Sequence, residues 1–290
     1  MSLRPAIVLA ALLGLARSVA AVAAPPVAPS ELVVERTLLT VDAGDGAVSL
    51  ETLILRPPGP GPFPLAVIAH GGTTRPEDRA RLSLDTYRAP AEEFARRGYA
   101  TLFALRSGYG QSKGSFGEFF GRCAPGRPDA IGRTIARAIR GIVEAGRKLP
   151  YVDPNRVVVI GHSMGGLGAV SMTDEPDLAA VINFAGGFAY FSPDCDPSLV
   201  AKAFGAFGAA GRAPALFVYS ENDALFGPAV AKSFFNAYTG AGGRGEFVAA
   251  PAYANNGHGL FRLAAQKWRP AVDDFLRKNG LPTWDSPPED

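Results

Sequence analysis

The chain has 290 residues, 47% of them hydrophobic and 19% charged, with 29 basic against 27 acidic side chains and a formal charge of +2. That composition excludes a disordered chain and a bundle of membrane spans, and it supplies enough apolar material for one substantial core. With no run of Lys or Arg, it also argues against nucleic acid as a partner.

Arg4 precedes an apolar run over residues 6–16, and Ala20, Ala21, Val22, Ala23 and Ala24 follow. A basic start, a short apolar core and an A-x-A pattern form a secretory signal peptide, so residues 1–23 are expected to direct export to the periplasm or the medium. The run is shorter than the ~20 residues a spanning helix needs, and Arg17 interrupts its far end. Pro25, Pro26 and Pro29 stiffen residues 24–30 into a linker, and residues 31–290 are expected to form a single domain. Cys123 and Cys195 lie in segments that read as loops after strands. In an oxidising compartment such a pair can close a disulfide.

Residues 31–40 and 47–55 alternate in polarity around Asp42-Ala43-Gly44-Asp45-Gly46 and read as an antiparallel hairpin. Continuous apolar runs at 65–69, 100–105, 156–160, 180–184 and 215–219 read as strands buried on both faces. Apolar residues at three- and four-residue spacing predict helices over 87–97, 129–148, 165–172, 230–238 and 261–278, and 245–250 gives a last strand. This alternation predicts the α/β class, with a mostly parallel central sheet and helices on both faces. In such a sheet ligands meet the loops at the carboxyl ends of the strands.

Those loops carry the chemistry. After 65–69 comes His70-Gly71-Gly72-Thr73-Thr74, where a glycine pair leaves backbone N–H groups uncovered. Gly72 is the candidate oxyanion donor and Thr73 its neighbouring alternative, while His70 is read as ordering the loop. After 156–160 comes Gly161-His162-Ser163-Met164-Gly165, a G-x-S-x-G turn from strand to helix. Such an elbow holds a serine hydroxyl above the sheet, so Ser163 is the candidate nucleophile and the Met164 N–H the other oxyanion donor. His162, with its side chain directed away from the serine's face, is read as packing or as supporting the site residues from behind.

A serine hydroxyl is a weak nucleophile until an imidazole takes its proton, and the imidazole needs a carboxylate to fix its tautomer. Of the three histidines only His258 follows Ser163, in the polar loop Asn255-Asn256-Gly257-His258-Gly259. After 215–219 the chain reads Ser220-Glu221-Asn222-Asp223-Ala224, which offers two carboxylates. Asp223 lies further past the strand and is preferred; Glu221 is the alternative, with Asp194 and Asp196 behind it. Because a histidine base must be neutral, activity is expected to rise with pH around ~6.5. No His or Cys pair has ligand spacing, so neither a metal nor another cofactor is expected.

The alternation, the elbow around Ser163, the His70-Gly71-Gly72 loop, Asp223 and His258 together resemble the α/β-hydrolase superfamily, over about residues 33–278. Arg106-Ser107-Gly108-Tyr109-Gly110-Gln111-Ser112, with Gly114 and a Phe-rich stretch after it, is similar to loops in its dienelactone-hydrolase-like and prolyl-oligopeptidase-like branches. Dienelactone hydrolases proper carry cysteine at the nucleophile position, so Ser163 implies a serine esterase acting on a small ester or acyl substrate. An acyl peptidase of the prolyl-oligopeptidase-like type is the alternative, although the sequence carries no gating domain. A hydrolase-fold binding protein without turnover is the reading from a different class.

Many relatives insert a cap after the sixth strand. Here residues 186–212 have room for a loop and one helix, which implies a minimal cap or none and an open cleft. Phe116, Phe119, Phe120, Phe188, Tyr190 and Phe191 are its candidate walls, and a Cys123–Cys195 bridge would tie their two loops together.

Overall fold

A computed structural model of the chain describes residues 31–42, 46–118, 124–189 and 196–284. The expected signal peptide and linker fall outside these residues, as do Phe119, Phe120, Cys123, Tyr190, Phe191, Asp194 and Cys195. Among the described residues there are eight strands: β1 Val33–Asp42, β2 Ala47–Arg56, β3 Phe63–Ala69, β4 Ala100–Ala104, β5 Val152–His162, β6 Leu178–Phe184, β7 Ala215–Ser220 and β8 Gly245–Ala250. They form one sheet in the order β1-β2-β4-β3-β5-β6-β7-β8. β2 pairs antiparallel with β1 and with β4, and every other pairing is parallel.

Side chains on a strand alternate between faces, so a continuous apolar run feeds two cores. Val157 and Val159 join Leu65 and Val67 on one face, while Val158 and Ile160 join Ala66 and Ile68 on the other. The first core is closed by α3 (Arg127–Arg147), α4 (Met164–Val170), α5 (Pro197–Ala210) and α6 (Pro228–Gly240). The second is closed by α2 (Arg88–Arg96), α7 (Leu260–Leu263) and α8 (Ala265–Lys278). A short α1 (Pro76–Arg81) and a 3-10 turn at Leu84–Tyr87 precede α2. The described residues between β6 and β7 hold one helix, α5, and no cap domain.

Most expected boundaries hold to within two residues, but one strand and one helix differ further. β5 starts at Val152, ahead of its apolar run, because Val152 and Asp153 pair with Phe63 and Pro64 before the register shifts. The single helix expected over 261–278 breaks at Ala264, whose φ of −145° and ψ of 56° are not helical. The break frees α8 to bury Trp268, Val272, Phe275 and Leu276 while α7 stays beside the loop that carries His258.

Candidate active site

The carboxyl ends of β3, β4, β5, β7 and β8 meet over one edge of the sheet, and five loops converge there. At the end of β5 the chain must reverse into α4 within one residue. Ser163 does so at φ 56° and ψ −124°, a conformation that costs of order 1–3 kcal/mol. The glycines on either side are steric necessities. A Cβ on Gly161 would run into the Gly165 carbonyl, and one on Gly165 into the carbonyls of Ala69 and His70. The turn is held by the Ser163 N–H donating to the Phe184 carbonyl at 3.0 Å, and by the Ser163 carbonyl accepting from Gly166 at 2.8 Å and Leu167 at 3.1 Å.

The loops after β7 and β8 are joined by two asparagines. Asn256 Oδ1 accepts the N–H groups of His258 at 3.0 Å and Ala224 at 3.1 Å. Asn222 donates to the carbonyls of Tyr253 and Ala254 and accepts the Tyr253 N–H at 2.9 Å. This stitching brings His258 Nδ1 to 3.0 Å from Asp223 Oδ2 and Nε2 to 3.1 Å from Ser163 Oγ. Asp223 Oδ1 also accepts the N–H groups of Leu225 at 2.8 Å and Phe226 at 3.0 Å. Burial alone would raise the Asp223 carboxyl, but the hydrogen bond and charge of His258 and these two N–H groups hold it below its ordinary value. A carboxylate only accepts, so His258 donates from Nδ1 and leaves Nε2 free to take the Ser163 proton. Of the other carboxylates considered, Glu221 is exposed and Asp196 caps α5 through the Ser198 N–H.

The loop after β3 is braced on three sides. The Gly71 N–H donates to the Tyr87 hydroxyl at 2.9 Å, the Thr73 N–H to the Tyr109 hydroxyl at 3.3 Å, and Arg106 Nη1 to the His70 carbonyl at 2.8 Å. Arg106 is itself paired with buried Glu118, which accepts the Tyr109 O–H at 3.0 Å. His70 Nε2 accepts the Arg106 N–H at 3.0 Å, so His70 orders this loop and is buried away from Ser163's hydroxyl partners. Among the described residues neither the Gly72 nor the Met164 N–H has a hydrogen-bond partner. The Met164 thioether packs against Gly72 at a point that a Cβ would fill.

A cleft of about 270 Å³ opens over Ser163 and His258, with walls that include Thr73, Leu82, Thr86, Tyr87, Tyr109 and Arg262. Of the expected aromatic walls, the two among the described residues, Phe116 and Phe188, do not line it. Phe188 is buried in the core on the α3 face. Phe116 lies under the Arg79 guanidinium, 3.8 Å from its ring centre, and edge-on to Tyr109. Sequence reasoning missed Tyr87 and Arg262. Arg262 stands four residues beyond His258, a spacing that puts it one helical turn from the base; Tyr87 carries no local signal. The Arg262 guanidinium sits 5.8 Å from the Tyr87 ring centre and has no carboxylate partner among the described residues. Nor do any three His, Cys, Asp or Glu side chains among those residues group as metal ligands.

Burial, with the nearby His258, pulls the His162 imidazole down to about 3, and burial together with Arg106 holds His70 well below its ordinary value. Both histidines take up protons on unfolding once the pH drops below ~6.5, so stability is full above that pH and falls beneath it. Each contributes a slope of about 1.4 kcal/mol per pH unit. The urea midpoint is therefore expected to fall from pH 7 to pH 5, and a flat midpoint over that range would contradict the neutral burial of both rings.

The sequence model of the dienelactone hydrolase family matches residues 78–273, more than half of the chain. Solved structures of similar fold include a putative dienelactone hydrolase from Klebsiella pneumoniae subsp. pneumoniae, at 15% identity and TM-score 0.56 over 86% of this chain and 98% of that one. An esterase from Pyrococcus furiosus superposes at 16% identity and TM-score 0.59 over 88% and 98% of the two chains. Esterase 2 of Thermogutta terrifontis does so at 21% identity and TM-score 0.57 over 88% and 96%. At these identities the likeness is one of fold. No curated protein matches the sequence.

Proposed function

The chain belongs to the dienelactone hydrolase family, and from that premise we propose that it cleaves carboxylic esters through an acyl-enzyme on Ser163. The observation that carries this reading is the His258 imidazole, which lies within hydrogen-bond reach of both Ser163 Oγ and the Asp223 carboxylate. His258 Nε2 takes the Oγ proton as Oγ attacks the ester carbonyl, and Asp223 stabilises the imidazolium that forms. The Gly72 and Met164 N–H groups, which lack other partners, receive the oxyanion; one such donor is worth about 2.7–4 kcal/mol. His258 then gives its proton to the departing alkoxide, and water repeats the sequence on the acyl group. Ester substrates agree with the esterases of like fold from P. furiosus and T. terrifontis, the latter of which is phosphorylated by paraoxon. In this reading residues 1–23 direct export and the enzyme works in the periplasm or the medium.

Among the described residues Arg262 is a cleft-lining cation with no carboxylate partner, so esters that carry a carboxylate are favoured substrates. Arg262→Leu is expected to lower kcat/KM for mono-p-nitrophenyl succinate by about tenfold and to leave p-nitrophenyl butyrate within about twofold. Equal losses on both esters would remove this role. The reading as a whole is tested by a p-nitrophenyl ester series with the purified protein, and by mass spectrometry after a fluorophosphonate probe. Turnover with a single adduct on Ser163 is expected. Folded protein with neither would overturn the hydrolase reading in favour of a binding protein.

A further inference from the structure

We propose that Tyr87 and His162 are positioning residues, which tie the oxyanion loop to the main chain of His258 through a hydrogen-bond relay of fixed polarity. The proposal rests on the hydrolase reading above. Its geometry is a chain of three contacts: Gly71 N–H to the Tyr87 hydroxyl at 2.9 Å, Tyr87 hydroxyl to His162 Nδ1 at 2.7 Å, and His162 Nε2 to the His258 carbonyl at 2.8 Å.

Every proton in that chain is assigned by chemistry. A carbonyl only accepts, so His162 carries its proton on Nε2. Because burial keeps this imidazole neutral, Nδ1 has a free lone pair and accepts the Tyr87 O–H. The Tyr87 oxygen is then left to accept from Gly71. The relay therefore runs one way, from the loop after β3 through the tyrosine and the elbow histidine to the base.

The relay places two working parts together. His258 sits on a 3-10 turn, where Asn256 grips its N–H and His162 its carbonyl, so the ring hangs from a main chain fixed on both sides. Gly71 is pinned by Tyr87, and its neighbour Gly72 keeps its N–H unpaired. Both rings are buried, Tyr87 at 3% and His162 at 4% exposure, and the bond between them lies in the interior. Loss of the tyrosine hydroxyl would release the Gly71 N–H and unseat His162, and so loosen the donor loop and the base in one change.

Tyr87→Phe removes only the hydroxyl and keeps the ring packed 4.9 Å from Phe103. We expect kcat to fall about ten- to a hundredfold with KM within about twofold, because misplacement by a fraction of an ångström acts on the transition state. Affinity for an aryl trifluoromethyl ketone, whose tetrahedral adduct engages both donors and the imidazole, is expected to fall by the same factor. His162→Gln, which keeps an N–H donor, should retain more kcat than His162→Leu. A kcat unchanged in Tyr87→Phe, or a loss that appears in KM, would overturn the proposal. Long-range nitrogen–proton NMR of the wild-type protein supplies a readout that needs no turnover: His162 must be neutral with its proton on Nε2, and the Nδ1 tautomer would overturn the relay. A wild-type protein that carries the Nε2 tautomer and yet fails to label on Ser163 would count against the hydrolase reading instead.

Discussion

Replacement of Ser163 by alanine is expected to lower kcat by about six orders of magnitude while KM stays within a few-fold. The reason is local. His258 Nε2 faces one hydroxyl, Ser163 Oγ at 3.1 Å, and the tyrosine hydroxyls of the cleft are already engaged. Tyr87 is bonded to Gly71 and His162, and Tyr109 to Thr73 and Glu118, so neither can replace the nucleophile. The hydrogen bonds that hold the elbow run through the Ser163 main chain, and alanine retains them. Folding should therefore survive, which circular dichroism and the melting temperature can check. Turnover above about a thousandth of wild type in folded Ser163→Ala protein would mean that another group carries the reaction.

Asp223→Asn is expected to cost about four orders of magnitude in kcat, with the fold intact. The substituted side chain has little choice of orientation. The Oδ1 site accepts the N–H groups of Leu225 and Phe226, so the amide oxygen must remain there and the NH₂ group must take the Oδ2 site, facing His258 Nδ1. Nδ1 lies 3.0 Å from the Oδ2 site and 3.2 Å from Oδ1, so a donor at the nearer site opposes an Nδ1 proton and shifts the ring toward the tautomer protonated on Nε2, against Ser163. The base is then present, correctly placed and unable to take a proton. Comparison of kcat at pH 8 for the two proteins, with the His258 tautomer read by NMR, checks both halves of the argument. A loss below about a hundredfold would show that the carboxylate is not what sets the tautomer.

The sheet was legible in the sequence because its signal is local and redundant. A strand buried on both faces must be apolar at every position, and the runs at 65–69, 157–160 and 215–219 have that property without reference to the rest of the chain. The elbow was legible for a related reason, since a Cβ on Gly161 would meet the Gly165 carbonyl within the same turn and no larger residue fits there. His258 was reached by elimination among three histidines, an accident of composition. The resemblance drawn from these residues agrees with the family to which the chain belongs.

Tertiary structure decided what joins distant segments. The preference for Asp223 over Glu221 becomes a contact only because Asn222 and Asn256 bind the loops after β7 and β8 together. Phe116 and Phe188 read as cleft walls until the loops around them took their course. His162, read as packing or as support behind the site, links Tyr87, 75 residues before it, to His258, 96 residues after it. Residues that far apart share no periodicity and no turn chemistry, so nothing in the sequence near either one specifies the meeting. Their distance is set by the order in which the strands lie in the sheet and by how each loop leaves its strand, and that order exists only once the whole core has packed.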